Sequence, residues 1–312
     1  MDPICHTLVG ASLGATGLER KTRYGRATLI IAANLPDIDG LSYFWGVASY
    51  AFRRGITHGI PAILVLPVLL AVMMRAFAQR RSVSGADQEV SFRWLLILSA
   101  IGVASHPALD WLNTYGMRWL MPIVDRWFYG DTLFIVDWVV WVILIGGLIA
   151  SRQVDREKLQ WFRQPACLAL ALVLTYVGTN LVLTKLAEQA VLESLEDRPP
   201  QRLMASPVPL NPFERAIVLD YENEYRFATV SFGPRPRIEW ENEVIMKGDP
   251  SAFESARNLR EGRWFLRWAR FPYSVVEESE DSTTIYLADA RYVRAIDDSS
   301  RGFGVVALKF DE

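Results

Sequence analysis

The stretch ATLIIAANLPDIDGLSYFWG (27–46) places Asn34, Pro36, Asp37 and Asp39 inside an otherwise apolar run. Proline removes a backbone donor and disfavours helical backbone at the residue before it, so the segment is expected to unwind around Leu35 and Pro36. Non-helical backbone at membrane depth is tolerated where it is buried in protein or lines water. Two carboxylates two residues apart in such a turn can address one ion or bridge two. An ordinary interfacial turn capped by aspartate is the plain alternative, and the surrounding sequence has to decide between them.

The chain has 312 residues, 51% of them hydrophobic, with 11 Trp. Its mean hydropathy is positive, +0.14, which points to membrane residence. The apolar content is concentrated in residues 1–187, and residues 188–312 are charged and strand-like. A formal net charge of −2 and the lack of a basic patch with interleaved aromatics exclude nucleic acid as an expected partner. Cys5 and Cys167 both lie in apolar segments and read as small packing residues.

Residues 59–78, 94–112, 133–150 and 166–187 each approach the ~20 apolar residues needed to cross hydrocarbon. Residues 4–18, rich in Gly, Ala and Ser as membrane helix-packing faces often are, and 27–46 add two weaker segments. The expected fold is an α-helical integral membrane domain of about six helices, some short or broken, followed by a small mainly-β extracytoplasmic domain. Loops around 19–26, 75–93 and 151–165 carry 12 basic residues, against 4 in the opposite loops (Arg53, Arg54, Arg118 and Arg126). The positive-inside rule then puts the first set in the cytoplasm and both termini outside.

That topology brings the intramembrane polar residues to one side. His6, His58 and His106 are the only histidines of the chain, and all three fall in the outward layer with Asp37, Asp39, Asp110, Asp131 and Asp137. Ionisable groups at membrane depth cost about 2.5 to 3.5 kcal/mol each on insertion scales, so several kept together mark a site. For any single one, an interfacial helix-end role is an equal alternative. In HPALDWLN (106–113), His106 and Asp110 are i and i+4 and Asn113 is i+7, so they share one helical face. His nitrogen and Asp oxygen on one face can ligate a single metal ion.

These residues resemble the YdjM family of membrane-bound metal-dependent hydrolases. The likeness runs over residues 1 to about 187 through HTLVGASLG (6–14), NLPDIDG (34–40), RRGITHG (53–59), HPALDWLNTYG (106–116) and DTLFIVDWVVW (131–141). RFPYSVVEE (270–278), IYLADARYV (285–293) and GFGVVALKF (302–310) resemble the family's C-terminal part. A more distant similarity is to the zinc phospholipase C and P1 nuclease group, in which an early His, an Asp, a further His and an HxxxD build two metal sites. His6, Asp37 or Asp39, His58, and His106 with Asp110 follow that order. This sequence has no histidine left for that group's remaining ion, which favours one or two metals, with zinc the expected cofactor.

The expected function is hydrolysis, at the outer face of the bacterial inner membrane, of a phosphoester of a lipid or other amphiphile. Metal ligands would be His6, Asp37, Asp39, His58, His106 and Asp110. Asn34 and Asn113 would orient ligands or substrate, and Asp131 or Asp137 would be a further ligand or the general base. Arg53 and Arg54 would pair with an anionic headgroup. A non-catalytic, metal-stabilised scaffold presenting the C-terminal domain is one alternative. An ion- or proton-coupled transporter is another, although the polar groups stop in one layer and no internal repeat is present.

In the C-terminal domain, DRPPQRLMASPVPLNP (197–212) reads as a proline-rich linker. YRFATVSF (225–232), RIEWENEVIM (237–246), RWFLRWARF (263–271), YSVVEE (273–278) and TIYLADARYV (284–293) read as strands, with PSAFESARNL (250–259) a short helix.

Overall fold

A computed structural model of the chain describes residues 1–45, 49–81, 89–154, 164–195, 199–279, 281–296 and 302–311. Arg156, Lys158 and Arg163, used in the charge count, and Asp197 and Arg198 at the start of the proline-rich stretch lie outside the described residues. The chain divides into two compact units, Met1–Leu41 with Arg53–Val182, and Ser42–Phe52 with Leu183–Glu312.

The first unit is helical: α1 (Pro3–Ala15), α2 (Gly25–Asn34), α4 (Ile60–Arg80), α5 (Phe92–Trp111), α6 (Trp138–Gln153) and the first part of α7 (Pro165–Ser194), while the short α3 (Ser49–Phe52) belongs to the second unit. Asp2 starts α1 by accepting hydrogen bonds from the Ile4 and Cys5 amides, both at 3.0 Å. Pro3 sits in the first turn, where a missing N–H costs nothing. The α-helix ends at Asn34 as expected, but the chain does not unwind at Pro36: Leu35 keeps helical backbone (φ −61°, ψ −37°) and the chain tightens into a 3₁₀ helix over Leu35–Trp45.

Among the described residues, three helices, α4, α5 and α7, are long and apolar enough to cross a membrane, and α6 is a shorter apolar helix. At 13 and 10 residues, α1 and α2 rise only ~20 and ~15 Å, short of a ~30 Å hydrocarbon core. Leu64, Val65, Leu69 and Met73 on α4 and Leu168, Leu172 and Leu174 on α7 present exposed apolar faces, as lipid-facing helices do.

Small residues set the helix spacing. A Cβ at Gly10 of α1 would lie 2.8 Å from the Leu29 carbonyl oxygen, and one at Gly102 of α5 would lie 3.0 Å from the same atom. Both helices therefore approach the backbone of α2 at one level, closer than a larger side chain allows. Ala32, Leu70, Ala71, Met74, Leu95 and Val103 fill the space between α2, α4 and α5. Cys5, Val9, Val140, Leu144 and Val173 join α1 to α6 and α7. This packing brings the first turns of α1, the end of α2 and the last turns of α5 to one place.

The second unit is mainly β. A four-stranded antiparallel sheet has the order β1 (Arg202–Pro207), β2 (Glu214–Asp220), β3 (Glu224–Phe232), β4 (Pro236–Met246). A three-stranded antiparallel sheet has the order β5 (Pro272–Ser279), β6 (Ser282–Asp289), β7 (Val305–Asp311). Register pairs Met204 with Val218 and Val218 with Phe227, whereas Ala205 pairs with Ile217 and Ile217 with Ala228. Alternation thus sends the first set into a core with Phe271 and Tyr273. The second set packs on Ala187 and Val191 near the end of α7.

Two expectations for this unit need correction. RWFLRWARF is not a strand up to Trp268 but the helix α9 (Arg260–Trp268), which follows α8 (Pro250–Asn258). Its buried residues Gly262, Phe265 and Trp268 recur every three positions, a helical period. The proline-rich stretch is not only a linker, since it holds β1. That strand lies at the edge of its sheet and ends on Pro207, where a missing N–H is tolerated.

Candidate metal centre

Each donor is positioned by a distinct local device. Asp37 sits in the 3₁₀ turn that follows the break in α2, His58 just before α4, and His106 and Asp110 one helical turn apart near the end of α5. One ligand atom from each of these four lies within 4.8 Å of all the others. His58 Nε2 is 3.1 Å from His106 Nε2 and 3.4 Å from Asp110 Oδ2. His106 Nε2 is 3.7 Å from both Asp110 Oδ2 and Asp37 Oδ1, and His58 Nε2 is 3.9 Å from Asp37 Oδ1. Both histidines and Asp110 are fully buried, whereas the Asp37 side chain is 17% exposed.

The hydrogen bonds behind the two imidazoles fix what they present. His106 Nδ1 lies 2.7 Å from the Ala33 carbonyl, an acceptor only, so this nitrogen carries the proton. His58 Nδ1 lies 3.0 Å from Thr57 Oγ1 and 3.2 Å from Asp39 Oδ2, and that Asp39 oxygen accepts from Thr57 Oγ1 at 2.6 Å and from the Arg54 amide at 2.9 Å. The two Nε2 atoms face each other at 3.1 Å beside two carboxylate oxygens. A shared proton or a bound cation reconciles such converging nitrogens.

A divalent ion fits this set. Donors at ~2.1 Å from a tetrahedral ion stand ~3.4 Å apart, and five separations here run from 3.1 to 3.9 Å. Carboxylate and carbonyl partners behind metal-ligating histidines are the usual means of setting ring orientation. Asp39 plays that part for His58, and Asp37 is the member of the pair whose oxygen reaches the converging set.

His6 lies next to this group and outside it. Its Nε2 is 3.2 Å from Asp110 Oδ1, and its ring stacks on that of His106 with centroids 3.7 Å apart. The amino group of Met1 touches the same Asp110 oxygen. Arg54 is buried: its Nε pairs with Asp110 Oδ2 at 2.8 Å, its Nη1 donates to Asn113 Oδ1 at 2.8 Å and its guanidinium covers the Tyr115 ring. Asn113 therefore acts on Asp110 through Arg54. Arg53, 32% exposed, donates from Nη2 to Asp37 Oδ1 at 3.1 Å.

Other expected residues are placed elsewhere. Asn34 donates to Thr7 Oγ1 and to the Ile30 carbonyl, tying α2 to α1. Asp137 caps α6 by accepting from the Val139 and Val140 amides, and it also accepts from the Tyr176 hydroxyl. Asp131 is buried in left-handed backbone (φ 49°) and does not belong to the four-donor group. Thr57 and the Ala33 carbonyl were not foreseen. Thr57 precedes His58 directly, and only a backbone trace shows that Ala33 faces His106.

The profile of the YdjM inner membrane proteins matches residues 1–187, which contain every donor of the cluster. The chain belongs to the YdjM family. This YdjM member is similar to the inner membrane protein YbcI of Escherichia coli (strain K12), at 27% identity over 182 residues, covering 55% of this chain and 91% of that protein. No solved structure matches the chain, and the likeness to the zinc phospholipase C and P1 nuclease group is not among the matches. The names of the family and of the relative describe membrane proteins and state no activity.

In the C-terminal unit of this YdjM member, burial pushes the Tyr273 phenol up to about 12 and that of Tyr225 higher, so both stay protonated at neutral pH. Hydrogen bonds from Ser251 hold the Asp249 carboxyl, at the start of α8, below its ordinary range.

Proposed function

We propose that the protein is a membrane-bound metal-dependent hydrolase that cleaves a phosphoester of a lipid or other amphiphile at the outer face of the bacterial inner membrane. The observation that carries this reading is the pair of imidazole Nε2 atoms, 3.1 Å apart, beside the carboxylates of Asp37 and Asp110. Two nitrogens and two oxygens suit zinc. Bound there, a divalent cation supplies Lewis acidity to a phosphoryl oxygen and makes water a nucleophile at neutral pH.

The chain's own residues divide the remaining work. Asp39 and the Ala33 carbonyl keep the His58 and His106 rings turned so that Nε2 faces the centre. Arg54, steadied by Asn113, holds Asp110 in place. Arg53, paired with Asp37 and near Asp39 but 32% exposed, is the cation offered to an anionic headgroup. His6 orients Asp110 through its other oxygen, so a single ion accounts for the donor set. The outward orientation of the site and of both termini rests on the 12 to 4 division of basic loop residues.

Release of phosphate or headgroup from a panel of lipid phosphoesters tests the reading, using the purified chain and its His106→Ala and Asp110→Ala variants. Both variants are expected to lose metal-dependent turnover while still inserting into membranes. Full activity in either sinks the assignment, and metal without turnover in the parent protein favours the scaffold reading.

A further inference from the structure

Of the four converging donors, three are closed off from solvent and only Asp37 is reached from outside. An open groove of about 620 Å³ beside the end of α2 and the 3₁₀ turn is lined by Asp37, Asn34, Ile31, Ile38, Leu41 and Pro3. Its volume is in the range of ligand sites, ~300–1,000 Å³. Its walls are apolar apart from Asn34 and Asp37, and Ile31, Ile38 and Leu41 are 43%, 51% and 47% exposed. Arg53, whose side chain is 32% exposed, donates to Asp37 and lies 3.6 Å from Asp39. Gly40 also lines the groove, and a Cβ placed on it meets nothing within 4 Å.

We infer that this groove holds the alkyl chain of a long-chain phosphoester amphiphile whose anionic headgroup lies at Asp37 and Arg53. The inference rests on the hydrolase reading for what happens to the headgroup, but the groove binds by its own chemistry. One carboxylate, paired with a partly exposed arginine, among exposed isoleucine and leucine side chains matches one molecule with one charged end. A lipid of the surrounding bilayer that merely coats an apolar surface needs no such charged pair. Each buried methylene strengthens binding by about fourfold, so two contribute on the order of tenfold.

The test uses the full chain in alkyl-maltoside micelles and three probes: a long-chain alkyl phosphodiester, its chain-free headgroup, and the alkyl alcohol without a headgroup. Retention of each probe is read by native mass spectrometry, and metal content and turnover are measured in parallel. The phosphodiester is expected to bind at least tenfold more tightly than either fragment. Gly40→Trp, which fills the groove from an open position, is expected to remove that advantage while leaving metal content and the turnover of a chain-free phosphodiester unchanged. Equal binding of alcohol and phosphodiester, or an unchanged chain preference in Gly40→Trp, overturns the groove assignment. Chain-selective binding without turnover of any probe leaves the groove standing and refutes the hydrolase reading instead.

Discussion

Asp110 in the helical unit and Asp289 in the β unit are both fully buried carboxylates facing arginine, and they are in opposite situations. Asp289 accepts from the Arg270 amide at 2.7 Å, from the Arg291 amide at 3.0 Å and from the Arg291 guanidinium through Nε and Nη2. Every donor there meets an acceptor, and the result is a closed internal lock at the end of β6. Asp110 also has an arginine, Arg54, yet its Oδ2 faces the Nε2 atoms of His58 and His106 as well. A buried charge therefore does not by itself mark a site. The convergence of two imidazole nitrogens on carboxylate oxygens does, because such a donor set suits a metal ion.

The contrast can be broken at several points. Asp289→Ala leaves Arg291 buried without its partner and is expected to destabilise the C-terminal unit by about 3–5 kcal/mol. Denaturant unfolding followed by tryptophan fluorescence measures this, and metal content should be unchanged; an unshifted midpoint contradicts the lock. Asp39→Ala frees the His58 ring and is expected to weaken metal binding by about 10–100-fold without abolishing it. Competition with a chromophoric chelator reads that change, and parental affinity in the variant means that Asp39 does not orient His58. Asp137→Ala removes a helix cap and is expected to cost about 0.5–2 kcal/mol, with metal and turnover retained. Loss of turnover at full metal content would instead restore Asp137 as the general base.

The site was the most legible part of the sequence. Its residues are short-range signals: the i, i+4 pair of His106 and Asp110, and a proline that ends α2 so that Asp37 leaves the helix. The difference between Asp37 and Asp39 was not legible. Both occupy one turn, and which carboxylate faces the histidines depends on Thr57 and on the backbone of Arg54, 15 residues further on. Arg54 itself reads as an interfacial cation and is in fact buried against Asp110, a long-range pairing that charge alone cannot announce. In the β unit, the aromatic content of RWFLRWARF imitates a strand. The stacking of Trp268 between Tyr50 and Tyr292, with Phe303 edge-on, belongs to tertiary packing and outweighs local propensity.

Elemental analysis of the purified parent protein and of His58→Ala tests the central claim most directly. The four-donor geometry predicts about one zinc per parent chain and its loss in His58→Ala, with both proteins equally inserted in the membrane. An absence of metal from both, or the same content in both, contradicts it.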